Sequence, residues 1–174
     1  GVSMLEGFHK YAKFGLAAYA RYQFRTYTQT PDTLDHNVPT TLTPLPDYYF
    51  NIANKKNQNL LWVGGQMAKQ RGTLLTYDVT AEFGIIGEAA GDINIDGNVG
   101  TKFRLLGDTV NISAYGRFVN AHAPYLMQSY RSNHFIWYND FGKERTFKAG
   151  GILRIPHTGT AINIGVENIQ NHIY

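Results

Sequence analysis

Leu75-Thr76-Tyr77-Asp78-Val79-Thr80-Ala81-Glu82-Phe83 changes from apolar to polar at every step. The odd positions are Leu, Tyr, Val, Ala and Phe, and the even ones are Thr, Asp, Thr and Glu. Successive side chains of a strand point to opposite faces, so this is a strand with one apolar and one charged face. On a helix the same residues would scatter around the axis.

The pattern spreads outward in both directions. Ile93, Ile95, Val99 and Phe103 oppose Asp92, Asn94, Asp96, Asn98 and Lys102. Phe14, Leu16, Ala18, Ala20, Tyr22 and Phe24 oppose Lys13, Tyr19, Arg21, Gln23 and Arg25. Val110, Ile112, Ala114 and Phe118 oppose Asn111, Ser113, Tyr115 and Arg117. Phe147, Ala149, Leu153 and Ile155 oppose Lys148 and Arg154, while Ile162, Ile164 and Val166 oppose Asn163 and Glu167. Leu61, Val63 and Met67 follow the rule less cleanly, and 133–140 carries aromatics on both faces.

These runs predict an all-β chain, an antiparallel up-and-down transmembrane β-barrel or barrel segment. About eight strands are expected, at 11–28, 59–69, 73–86, 91–105, 109–120, 133–140, 146–155 and 160–172, within one domain spanning 1–174. Tight turns are expected at Gln70-Arg71-Gly72 and Leu106-Gly107-Asp108, where glycine supplies the positive φ of short hairpins. Longer connections fall at 29–58 and 121–132, the first holding Pro31, Pro39, Pro44 and Pro46. Short turns at one end and long loops at the other are the habit of outer-membrane barrels.

Alternation alone does not say which face meets water. Two features favour lipid on the apolar side. Several strands reach the 9–11 residues a tilted spanning strand needs, whereas soluble strands cluster near 5–6. The polar side also mixes charges of both signs, which suits a lumen: Lys13, Arg21, Arg25, Lys102, Arg104, Arg117, Lys148 and Arg154 with Asp78, Glu82, Asp92, Asp96 and Glu167. Tyr22, Phe24, Trp62, Phe103, Phe118 and Trp137 are candidates for interfacial girdles.

Composition narrows the alternatives. The 174 residues carry 16 basic and 13 acidic side chains, a net charge of +3, with no basic patch of the kind nucleic acid needs. With no cysteine, there is no disulfide, thiol nucleophile or thiolate metal site. Twelve tyrosines, ten phenylalanines and eighteen glycines fit an aromatic-rich β protein.

Two stretches resemble a known family, the β-barrel porins of Bacteroidetes outer membranes. One is Tyr77–Phe83 running into Gly91-Asp92-Ile93-Asn94-Ile95-Asp96-Gly97-Asn98. The other is Gly150-Gly151-Ile152-Leu153-Arg154-Ile155-Pro156 running to Gly165-Val166-Glu167-Asn168-Ile169-Gln170-Asn171-His172-Ile173-Tyr174. The resemblance covers about 60–174 and rests on strand texture. Members of that family are several times longer than this chain, which implies a segment of a larger barrel; the other option is an eight-stranded barrel complete in itself. Eight strands leave a filled interior and 16–18 an aqueous channel, so the resemblance by itself does not carry a pore over to 174 residues.

Motifs for chemistry are weak. Asp92-x-Asn94-x-Asp96-Gly97 opens like a calcium-binding loop, but the twelfth position is Phe103 instead of a bidentate Glu. His9, His36, His122, His134, His157 and His172 are scattered without ligand spacing. Asp78 and Glu82 stand about 13 Å apart along one strand, too far for paired acid–base work. No catalytic residue, metal or cofactor is expected, and the chain reads as no enzyme. Pro44-Leu45-Pro46-Asp47-Tyr48-Tyr49-Phe50 is an aromatic loop that either packs on the rim or folds over the mouth.

The function expected is that of a porin-type barrel in the outer membrane of a Gram-negative bacterium, passing small solutes by diffusion. Its expected partners are outer-membrane lipid and either the remainder of a larger barrel or an oligomer, with no nucleic acid. Two other readings stay open: a filled eight-stranded anchor or adhesion barrel, and a soluble β-barrel binding an apolar ligand.

Overall fold

A computed structural model describes residues 1–7, 13–29, 52–72, 74–105, 107–132 and 135–173. One antiparallel sheet of eight strands dominates it. In spatial order these are β1 (Val2–Met4), β2 (Gly15–Thr28), β3 (Lys55–Lys69), β4 (Leu75–Ile86), β5 (Ile93–Leu105), β6 (Asp108–Ala121), β9 (Glu144–Ile155) and β10 (Thr160–Gln170). A four-residue helix, α1 (Tyr125–Gln128), and a two-stranded ribbon of β7 (Ser129–Arg131) and β8 (Ile136–Tyr138) lie between β6 and β9. Apart from β1, every strand of the large sheet has 11 to 15 residues, at or beyond the length a spanning strand needs.

Register turns the sequence alternation into two continuous faces. Leu16 lies opposite Met67, Met67 opposite Val79, and Val79 opposite Gly97. The row continues through Gly116, Ala149 and Val166. Because a strand's side-chain period is two, a one-residue slip anywhere would mix the faces. One occurs, at the last pair of β3 with β4, where Trp62 lies opposite Gly84 but Leu61 lies opposite Ile86; the other long ladders each keep one register.

Among the described residues no element packs over the apolar face. Leu16, Leu75, Ile95, Ile112 and Ile164 are all exposed, Ile164 at 73%. Among the described residues the buried apolar side chains are Ile52, Leu60, Ala89, Val110 and Ala123, too few and too small for a hydrophobic core. A soluble sheet hides its apolar face in a core; this one presents it outward.

The structure corrects the strand list in two places. The segment expected as a strand at 133–140 contributes only β8, paired with β7 outside the large sheet. Aromatics on both of its faces left no apolar side to lay on the barrel, and the chain reverses where the Ser132 N–H donates to the Phe135 carbonyl. The eighth place is taken by β1, three residues long and so too short to show a period, which pairs Val2 with Ala18. The expected loop 29–58 also ends early, since β3 starts at Lys55. Residues 30–51, and with them the aromatic stretch 44–50, lie outside the described residues.

The sheet is open. Its edges are β1 and β10, which do not pair, and β10 is exposed along all eleven residues. At one end lie three short connections, at 70–74, 106–107 and 156–159, with Gly72, Gly107 and Gly159 at positive φ, and the longer link 5–14 between β1 and β2. Glu6 braces the first of these, accepting from the Gln70 and Arg71 N–H groups at 2.8 and 3.0 Å. At the other end lie 29–54, 122–143 and a 3-10 turn, Gly87–Ala89. That turn folds so closely onto β3 that a Cβ at Gly87, where φ is +73, would run into the Asn59 carbonyl.

Arg in place of Leu16 or Ile95 is expected to destabilise the protein in lipid by about 2–4 kcal/mol where the site lies near the bilayer midplane. Arg in place of Asn94 or Ser113 should cost much less. Reversible refolding into lipid vesicles measures both; equal costs on the two faces would contradict the assignment.

Candidate functional site

The polar face is built by parity. Arg21 and Arg25 stand on β2, Asp78 and Glu82 on β4, and Asp96, Lys102 and Arg104 on β5. Arg117 on β6, Lys148 and Arg154 on β9, and Glu167 on β10 complete it. Eleven of the thirteen residues singled out from the sequence therefore share one face of one sheet. Lys13 precedes β2 and Asp92 precedes β5, so these two sit at opposite ends of the sheet and off the strands.

Charges in the middle of this face are paired. Arg21 reaches Glu82 at 3.2 Å across β3, and the Tyr19 hydroxyl donates to the same carboxylate at 3.1 Å. The reach is possible because Gly64 lies between them: a Cβ there would stand 2.7 Å from the Tyr19 ring. The Arg21 guanidinium also rests on Trp62, 4.2 Å from its ring centroid, a cation–π contact. Trp62 is thus a polar-face residue and no girdle residue, as its register opposite Arg21 requires.

Lys148 meets Glu167 at 3.3 Å on the adjoining strand, and Arg117 is the register partner of Asp96. Asp78 accepts from the Gln66 amide at 2.6 Å. Tyr115 repeats the device of Tyr19, lying flat over Gly150 and Gly165.

At the long-loop end, the segment between β6 and β9 folds back onto β2 and β3. Gln29 is buried, and its side-chain amide imitates a strand partner for β7. Its Nε2 donates to the Ser129 carbonyl at 3.2 Å, and its Oε1 accepts from the Arg131 N–H at 2.7 Å. Arg131 also donates to Asn54. Tyr125 of α1 packs on Tyr27, a polar-face residue, with ring centroids 4.8 Å apart. Trp137, another girdle candidate, is stacked on Tyr130 in this ribbon at 4.5 Å. Tyr22, Phe24 and Phe103 remain exposed on the apolar face.

Loop-end ion pairs tie the same region together. Asp92 accepts from the His122 N–H at 3.1 Å, lies 2.7 Å from its Nδ1, and is 3.4 Å from Lys143 Nζ. Lys56 meets Glu88 at 3.0 Å. Burial would raise the Glu88 carboxyl, but hydrogen bonds from Lys56 and Gln58, with the charge of Lys56, outweigh it and leave the group below its ordinary 4.5. Among the described residues no group of His, Asp and Glu is arranged to hold a metal.

Tyr19, Trp62 and Gln29 were missed as site residues. Tyr19 had a signal, since it stands two positions from Arg21 and shares its face. Gln29 had none, because its partners lie 100 and 102 residues away.

No helix among the described residues is long and apolar enough to cross a membrane, which says nothing of a barrel that crosses with strands. No curated protein matches the chain, and neither does any solved structure. The model of one family, described as "Putative porin", matches residues 1–174. With that match over its whole length, the chain belongs to this porin family.

Proposed function

We propose that the sheet is part of a closed barrel in the outer membrane of a Gram-negative bacterium, whose polar face lines a water-filled lumen for passive diffusion of small solutes. One observation carries this reading: an apolar face left uncovered, in register across every strand, backs a face of paired charges. Hydrocarbon is the solvent that face fits. The charges opposite it need water, and a lumen provides it. On this reading Arg21, Arg25, Asp78, Glu82, Asp96, Lys102, Arg104, Arg117, Lys148, Arg154 and Glu167 line the lumen, with Lys13 and Asp92 at its two mouths. The barrel does no chemistry and needs no cofactor.

Backbone groups in hydrocarbon must all be paired. The free edge of β10, eleven residues long, therefore calls for a further antiparallel strand, from the remainder of a larger barrel or from another subunit. A larger strand number also favours an open channel over a filled anchor.

The segment 122–143 is placed to narrow the long-loop mouth. Its α1 touches the polar face at Tyr27, and Gln29 holds its β7. Gln29→Ala removes both amide bonds, each contributing about 1 kcal/mol. The variant is expected to show higher or noisier single-channel current with the barrel intact. Unchanged current would remove the segment from the conduction path.

The thirteen charges assigned to the lumen and its mouths comprise eight bases and five acids. Rings of Lys and Arg favour anions, and low-dielectric walls focus their field. Slight anion preference is therefore expected in planar bilayers, fading as added salt shortens the screening length. A reversal potential of the opposite sign would contradict the charge assignment. No current under any condition would return the protein to the filled-anchor reading.

A further inference from the structure

Positive charge on the polar face is unevenly matched. Arg21 has Glu82, Lys148 has Glu167 and Arg117 faces Asp96. Toward the short-turn end the acids stop and the bases continue. Lys102 of β5 and Arg154 of β9 are both register partners of Asn111 on β6, one from each side. Neighbouring strands lie about 4.8 Å apart, so the two backbones stand only about 10 Å from each other. Both side chains project on one face, and among the described residues neither has an ion pair. Arg104 adds a third base two residues beyond Lys102, opposite Thr109. Asp108 has the opposite parity and heads β6 at the turn, and Glu6 at the same end is taken up by the Gln70 and Arg71 N–H groups.

Lys102, Asn111 and Arg154 share a cleft of about 600 Å³ with Gln70, Thr76, Thr101 and Ser113. Its polar complement is two cations, two amides and three hydroxyls, of which those of Thr76 and Thr101 donate to the Gly100 and Leu74 carbonyls. The Asn111 Oδ1 is shut off from solvent without a hydrogen-bond partner and, being an acceptor, offers an anion nothing; only the N–H groups of this amide can serve one.

We infer that this cleft is a binding subsite for a small oxyanion of the phosphate class, either free or carried on a small solute. A guanidinium offers a planar fork that matches two oxygens of such an anion, and an ammonium adds a point charge from the opposite side. Hydroxyl and amide donors serve the remaining oxygens. A halide cannot use the fork. Because the cleft is open to solvent, the site is weak and quickly exchanging, and salt screens it. Those properties suit a station on a diffusion path. The inference rests on the porin reading for its purpose but not for its test.

Inorganic phosphate is the probe, titrated at matched ionic strength into the full-length protein folded in detergent or bilayer, with chloride as the reference anion. Binding is read by phosphorus NMR line broadening and by block of chloride current. Saturable binding is expected in the wild type. In the double variant Lys102→Gln with Arg154→Gln it should weaken about tenfold. Lys102→Arg should keep it. If the double variant fails to fold, Ser113→Ala and Arg154→Lys, each expected to weaken binding without emptying the face of charge, take its place. Absence of saturable binding at matched ionic strength, or binding indifferent to these variants, overturns the subsite. Chloride current without saturable phosphate binding overturns it while the porin reading stands. Phosphate binding without any current supports the subsite and removes the pore.

Discussion

Everything in this structure follows from an apolar face that none of the described residues packs over. Seven strands of 11 to 15 residues align their Leu, Ile, Val and Phe side chains on one side, and among the described residues no helix or second sheet lies against them. Water would make that surface an aggregation site. In hydrocarbon the sign reverses, and burial by lipid stabilises what burial by protein would otherwise have to. The backbone supplies the second half of the constraint. Ladder hydrogen bonds satisfy each interior strand, and the described sheet is open at β1 and β10.

Once the apolar face belongs to lipid, the other face must hold its charges without a core. It does so by neighbour pairing across strands, as in Arg21–Glu82 and Lys148–Glu167. Tyrosines laid over glycines, Tyr19 on Gly64 and Tyr115 on Gly150, fill the gaps between these pairs. The ends differ in kind: three short turns and the link 5–14 close one side, while the segment 122–143 folds back over the other through Gln29.

Much of this was legible in the residues because a period of two survives any loop. The alternation at 75–83 and 93–103 put Asp78, Glu82, Asp96 and Lys102 on one face before any register was known. Which residues face each other was not legible, since pairing depends on where each hairpin turns. The bond from Gln66 to Asp78 could not be read from either strand alone. Trp62 was misplaced because the period is weakest in β3, which meets β4 at its one irregular step. The strand expected at 133–140 failed for a related reason: aromatic residues on both faces satisfy a strand pattern without choosing a side. Three-residue β1 offered no period at all.

The central claim is the direction of the apolar face, and the absence of cysteine makes it directly measurable. Single cysteines placed in turn along β5, from Ile93 to Phe103, can carry nitroxide labels in the lipid-reconstituted protein. The account predicts oxygen accessibility peaking at 93, 95, 99 and 103, and access to a water-soluble nickel relaxant peaking at 94, 96, 98 and 102. The same alternation with its phase inverted, or no alternation over those positions, would contradict it.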